Sequence, residues 1–167
     1  MTWCLVGSEM CIRDSPRDSR IFDTENGKAN FTLNKLPNLD VGQGKSVMMT
    51  IRSHDQYNTT IYGLSDRYRG LKGNRRIVLM NALEMAERGL KSRDSVNITS
   101  HYGDKNITSR DWILVPYDIP RGNIATYFPE ANELVPIEST AEISNTPTSK
   151  WVVVTVHEKG HFEAEDE

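Results

Sequence analysis

Cysteine is nearly missing from this chain. Only Cys4 and Cys11 are present among 167 residues, both close to the N-terminus. Their spacing fits neither a zinc knuckle nor a redox pair, so a disulfide framework is not indicated. A chain that leans on no disulfide reads as a protein of a reducing compartment, most simply the cytoplasm. No apolar run approaches the roughly 20 residues of a membrane-spanning helix. Histidine is scarce too: His54, His101, His157 and His161 are scattered without metal-ligand spacing. There is no glycine-rich phosphate loop, no dinucleotide fingerprint and no convincing nucleophile–base pair. These absences disfavour a self-contained catalyst, including a small acid/base enzyme, and leave a domain built to hold something.

What is present is a foldable core and an uneven charge. With 37% hydrophobic and 26% charged residues, the chain has apolar content for one globular domain and too little length for two comfortable ones. The net charge of −3 conceals two opposed regions. Between Lys45 and Arg93 ten lysines and arginines face four acids, whereas from Phe128 onward nine acids face Lys150 and Lys159. Such a local excess of positive charge points the first half toward an anionic partner.

Residues 1–20 differ in character from the rest of the chain. Trp3–Val6 is too short for a secretory core, and Met10–Ser15, MCIRDS, resembles translated sequencing-adapter sequence. Residues 1–20 are therefore expected to be artefactual or disordered, and the reading frame truncated. Residues 21–44 read as a linker with a short strand at 27–33, residues 45–157 as the folded body, and 158–167 as an acidic, disordered tail. Within the body, strands are expected at 45–51, 76–80, 95–100, 105–108, 111–115, 124–127 and 151–156. Asn81 sits where a helix N-cap belongs, ahead of a short helix at 83–88. Gly89 fits the position just past its end, with Leu90 folding back onto the last turn. The loop through 62–73, rich in Arg, Tyr and Gly, is expected to order only against a partner. About seven short strands with one or two short helices describe a mainly β, mixed barrel with crossing connections.

Three polar stretches stand at strand ends: Arg52–Thr59, Tyr127–Asn132 and Thr146–Lys150. Arg and Lys clamp phosphate oxygens, Asn and Gln pair with the edge of a heterocycle, and Tyr57, Tyr127 and Phe128 offer rings for stacking. A ligand needing all three is a nucleotide joined to another heterocycle. Carboxylates are assigned to solvated surface, on the helix and in the tail.

TIRSHDQYNTTIYG (50–63) with DRYRG (66–70), VPYDIPRG (115–122), YFPEAN (127–132) and NTPTSK (145–150) are together similar to the C-terminal domain of molybdopterin-dependent oxidoreductases. The nearest group resembles the formate dehydrogenase-like alpha subunits, and the likeness covers roughly residues 26–156. It implies a double-psi β-barrel of the aspartate decarboxylase type, the molydopterin dinucleotide-binding domain. That domain closes over bis-molybdopterin guanine dinucleotide (bis-MGD, with its molybdenum), carried mainly by upstream domains. By this resemblance the cofactor-binding residues are Arg52, Ser53, His54, Gln56, Tyr57, Asn58, Thr59, Tyr127, Glu130, Asn132 and Lys150. No catalytic or metal-ligating residue is expected here, and any iron–sulfur cluster belongs to the upstream domains. The chain alone is not expected to catalyse a redox step. One departure from the family pattern is Arg93-Asp94 where relatives have Gly-Asp, which would place an arginine at positive φ. The alternative is a stand-alone barrel whose basic face binds nucleic acid or a protein partner, with Tyr57, Tyr62 and Tyr68 beside Arg67 and Arg69 as a stacking groove. On the preferred reading no nucleic acid and no membrane span is involved.

Overall fold

The run Ser46–Ile51, SVMMTI, buries four of its six side chains because it is paired along both edges. It is strand β1 of a closed barrel seen in the computed structural model, which describes residues 20, 22–33, 35, 40–57 and 61–159. The chain divides into two units, Met1–Leu39 and Asp40–Glu167. In the first, a turn follows Thr24, whose hydroxyl donates to the Lys28 carbonyl at 2.8 Å. The strand expected at 27–33 is not formed: Phe31 and Leu33 stand fully exposed, and none of these residues pairs with another strand. Without a partner to complete its ladder an extended segment gains nothing from being a strand.

The second unit contains β1, β2 (Ile77–Met80), helix α1 (Ala82–Glu87), β3 (Ser95–Tyr102), β4 (Lys105–Pro116), β5 (Asn123–Tyr127), a 3-10 helix (Glu130–Leu134) and β6 (Val152–Glu158). Around the barrel the order is β1-β5-β2-β4-β3-β6. β1 runs parallel to β5 and β2 parallel to β4, while the remaining neighbours are antiparallel. Because β5 lies between β1 and β2, the connection from β1 to β2 passes the end of β5. The β4–β5 connection likewise passes the end of β2. Two parallel pairs with crossing connections make this a double-psi β-barrel. The directions bring the end of β1, the end of β5, the start of β2 and the start of β6 to one rim.

Six strands close the barrel where seven were expected. The segments 105–108 and 111–115 are one strand, carried through Asp111 at φ 61° opposite a shift of register between Val96 and Ile98. A bulge of this kind bends a strand without ending it. Alternation along β4 puts Trp112 and Leu114 inside, with Met48, Val78, Ile98 and Val154, and puts Ile113 and Val115 outside. The outer residues join Ile77, Leu79, Ala125 and Tyr127 in a second apolar layer that Leu71 and Ile119 help to cover. Burial on both faces explains why β2 is apolar throughout.

Helix α1 is short and closed at both ends. The Asn81 side chain accepts from the Leu83 and Glu84 amides at 3.0 and 3.3 Å. At the other end Leu90 N–H reaches the Met85 carbonyl and Gly89 N–H the Ala86 carbonyl, with Gly89 at φ 72°. This is a Schellman closure, and it buries Leu90 as expected. The next turn holds Arg93 at φ 71°, the left-handed region that favours glycine. Arg93→Gly is expected to raise stability by about 0.5 kcal/mol, as relieved strain outweighs the added freedom of the unfolded chain. A higher urea midpoint at unchanged slope is the measurement.

Candidate functional site

A buried arginine organises the rim where the strand ends meet. Arg75, just ahead of β2, is 4% exposed, and every nitrogen of its guanidinium donates. Nε donates to Glu130 Oε1 at 2.7 Å, Nη1 to Ser53 Oγ at 2.7 Å, and Nη2 to both Gln56 Oε1 and the Phe128 carbonyl at 2.8 Å. Gln56 Nε2 donates to the same Phe128 carbonyl at 2.8 Å. The guanidinium also lies 4.2 Å from the Tyr62 ring centre and 4.7 Å from that of Tyr127. A planar fork with five N–H groups suits such a junction, and a lysine would not reproduce it. Ser53, Gln56 and Glu130, expected around a ligand, are thus brought together by Arg75.

Next to it lies a second buried ionic group. Asp66 is 2% exposed and accepts from the Tyr127 hydroxyl and from Arg69 Nη1, both at 2.6 Å. Its other oxygen accepts the Tyr68 and Arg69 amides at 3.1 and 3.3 Å. Burial pushes the Asp66 carboxyl up, but the bonds from Tyr127 and Arg69, with the Arg69 charge, outweigh it and hold the group below its ordinary value of 3.8. Burial first, and then the bond to Asp66, pushes the Tyr127 phenol well above the usual tyrosine range.

These contacts correct three expectations. Tyr127 is fully buried and serves Asp66, so it is not a stacking platform. Asp66 and its bridge to Leu71 order the 62–73 loop within the chain itself, without a partner. The carboxylates are not all solvated surface: Asp66, Glu84 and Glu130 pair with Arg69, Arg88 and Arg75, with Glu84 also accepting the Gly122 amide at 2.8 Å. Burial of a carboxylate is tolerable only with such partners.

Above this floor a cleft of about 630 Å³ opens at the rim, lined by Thr50, Arg52, Arg69, Phe128, Ser149 and Lys150. Lys150 donates to the Thr50 carbonyl, and Arg69 Nη1 to the Arg52 carbonyl at 3.4 Å. Partial burial, and then the charge of Arg52, push the Lys150 ammonium down. Arg52 and Lys150 therefore meet, although separate polar stretches supply them. Asn132 is exposed on the 3-10 helix and is not among the cleft's lining residues. His54 is exposed and tilts onto Tyr68 with ring centres 3.8 Å apart. Tyr57 is exposed, its backbone paired with Ile61. Asn58 and Thr59, like Cys4 and Cys11, lie outside the described residues. Among the described residues no cluster of His, Cys, Asp and Glu suits a metal ion, and no helix is long and apolar enough to cross a membrane.

Residues 47–153 match the molydopterin dinucleotide binding domain. The chain belongs to that family. An uncharacterized oxidoreductase of Mycobacterium tuberculosis is 49% identical over 144 residues, which are 83% of this chain and 18% of that protein. Protein YdeP of Escherichia coli is 39% identical over 137 residues, 78% of this chain and again 18% of the relative. The chain thus spans 18% of the length of these relatives. Among solved structures, acetylene hydratase from Pelobacter acetylenicus aligns with a TM-score of 0.48 at 10% identity, over 68% of this chain and 18% of that one.

Within this molydopterin dinucleotide binding domain, sequence reasoning missed Arg75, Asp66 and Arg69 as parts of the site. The Asp66/Arg69 spacing of three was a readable signal, whereas nothing near Arg75 in sequence announces its distant acceptors. Arg75→Met is expected to cost about 3 kcal/mol by leaving the half-buried Glu130 without its cation and Ser53, Gln56 and the Phe128 carbonyl without their donor. Adding Glu130→Gln should recover part of the loss, as read by urea unfolding of the double-mutant cycle. Acid behaviour follows from Asp66: its folded value lies below 3.8, so its stabilisation is present above that pH and vanishes as pH falls through the folded value. For Tyr127, raised above 10.0, the contribution is complete below pH 10 and fades as pH climbs toward the folded value. Tyr127→Phe should remove the alkaline component from the stability profile measured against pH.

Proposed function

We propose that this chain is the C-terminal cofactor-binding domain of a molybdenum-dependent, formate dehydrogenase-like oxidoreductase of the cytoplasm, gripping molybdopterin guanine dinucleotide at the barrel rim. The single observation that carries this reading is the meeting of Arg52 and Lys150 across one polar cleft at the strand ends. Two like charges side by side in a partly desolvated place are unfavourable alone and favourable around an anion. The depressed Lys150 ammonium records that conflict. A pyrophosphate relieves it, since arginine offers a bidentate fork and lysine a point charge to phosphate oxygens. Phe128, half-buried beside these cations, gives the cleft an apolar wall for a ring system.

When bound, the molybdenum-bearing cofactor supplies the redox chemistry. The residues of this chain bind and orient it and exclude water from one side. Arg52 and Lys150 would hold its charge, Ser53, Gln56 and Glu130 would fix the walls through Arg75, and the exposed Asn132 would be available to hydrogen-bond a pterin edge. This chain matches 18% of its longer relatives, and on this reading a second part would carry the other half of a bis-MGD site and any iron–sulfur cluster. Exposed Tyr57 and Tyr68, the latter 5.0 Å from the Arg67 guanidinium, favour the nucleic-acid alternative to a lesser degree, because Tyr62 is engaged by Arg75.

Calorimetric titration separates the two. Guanosine diphosphate is expected to bind the 167-residue chain at low salt, and Arg52→Gln or Lys150→Gln should each weaken it by roughly tenfold, about 1.4 kcal/mol. Lys105→Gln, at an exposed ion pair with Glu138, should leave it unchanged. Tight, salt-sensitive binding of a single-stranded oligonucleotide with none of the nucleotide would overturn the reading.

A further inference from the structure

Arg69 is placed unlike any other cation of the cleft. Its Nη1 is spoken for, by Asp66 Oδ2 at 2.6 Å and the Arg52 carbonyl at 3.4 Å, yet its Nε is buried and has no hydrogen-bond partner. A buried donor without an acceptor is costly and is found where an acceptor arrives later or where strain is stored. The surroundings fix the side chain firmly. Asp66 is itself clamped by the Tyr127 hydroxyl and two backbone amides, and the guanidinium lies 5.9 Å from the centre of the Tyr127 ring. Arg69 is thus a lining residue of the cleft whose orientation is imposed from below and whose Nε–H remains to be satisfied.

We propose that Arg69 is an oxyanion-binding residue, donating Nε–H to a phosphate oxygen in the cleft, and that the Asp66–Tyr127 pair is its positioning device. This rests on the reading of the cleft as a pyrophosphate site and adds to it a residue outside the three polar stretches. Asp66 carries the negative charge that keeps Arg69 in place, and Tyr127 donates to the same carboxylate oxygen that Arg69 Nη1 reaches. Ligand and carboxylate consequently share one guanidinium through different nitrogens. Among the described residues neither Arg52 nor Lys150 is paired with such a carboxylate, and Lys150 donates instead to the Thr50 carbonyl. Arg69 therefore sets where an anion sits, and its two neighbours add attraction.

Titration of the full chain with inorganic pyrophosphate, followed through arginine Nε–H resonances, tests this. The Arg69 Nε–H signal, assigned by its disappearance in Arg69→Lys, is expected to shift in proportion to occupancy. Arg69→Lys keeps the charge and should still weaken pyrophosphate binding about tenfold, because a lysine cannot offer the Nε edge while its head group serves Asp66. Tyr127→Phe, which leaves every cleft-lining side chain in place, should weaken binding severalfold and broaden the same resonance. An Arg69 signal that stays put at saturation, or wild-type affinity in Arg69→Lys, overturns the inference. If Arg52→Gln and Lys150→Gln weaken binding while Arg69→Lys does not, the cleft reading survives and this residue's role falls. If none of the three alters binding, both fall.

Discussion

The guanidinium of Arg75 is the constraint on which the rim depends. A charge removed from water survives only where hydrogen bonds replace its hydration, and Arg75 obtains them from Ser53 and Gln56 after β1 and from Phe128 and Glu130 after β5. Two loops far apart in sequence are tied to one planar group, so neither moves independently of the other. The Tyr62 and Tyr127 rings flank the same cation and exclude water from it. With the floor fixed in this way, the side chains above it can hold a defined geometry, which a site built only on mobile loops would lack.

Topology decides what that floor supports. Parallel pairing of β1 with β5 sends both strands out at the same end, and antiparallel pairing of β6 with β1 brings the chain in there. The polar stretches that follow β1 and β5 and precede β6 therefore face a common opening. Positive charge converges from Arg52, Arg69 and Lys150, while the carboxylates of Asp66 and Glu130 are taken up by Arg69 and Arg75. The basic segment of the sequence is thus divided between arginines that build the interior and cations left over for a ligand.

Much of this is legible in the residues alone. The apolar run in SVMMTI and the alternation in WILV mark barrel walls, Asn81 and Gly89 bracket the helix, and Arg93 does adopt the positive φ expected of it. The polar stretches and their likeness to the molydopterin dinucleotide binding domain point to the family that the chain matches. What stays hidden depends on distant partners. Whether a carboxylate is solvated or buried turns on a cation elsewhere in the chain, as Glu130 and Arg75 show across 55 positions. Tyr127 reads as a ligand platform in isolation, and only its bond to Asp66 reveals an interior role. The continuity of β4 is masked at Ser109 and Arg110, which read as a gap between two strands, whereas the backbone carries on through them to a bulge at Asp111.

The position of β1 carries a consequence for how the molecule comes to be folded. Its two neighbours are β5 and β6, so its backbone ladder joins Met49 to Ala125 and Val47 to Val153. During vectorial synthesis the first strand of this barrel waits for the last before both of its edges are covered. Non-local closure of this type makes for slow collapse and a long exposure of an apolar, unpaired edge. What this order of pairing imposes is an apolar strand edge that stays uncovered until the final strand arrives.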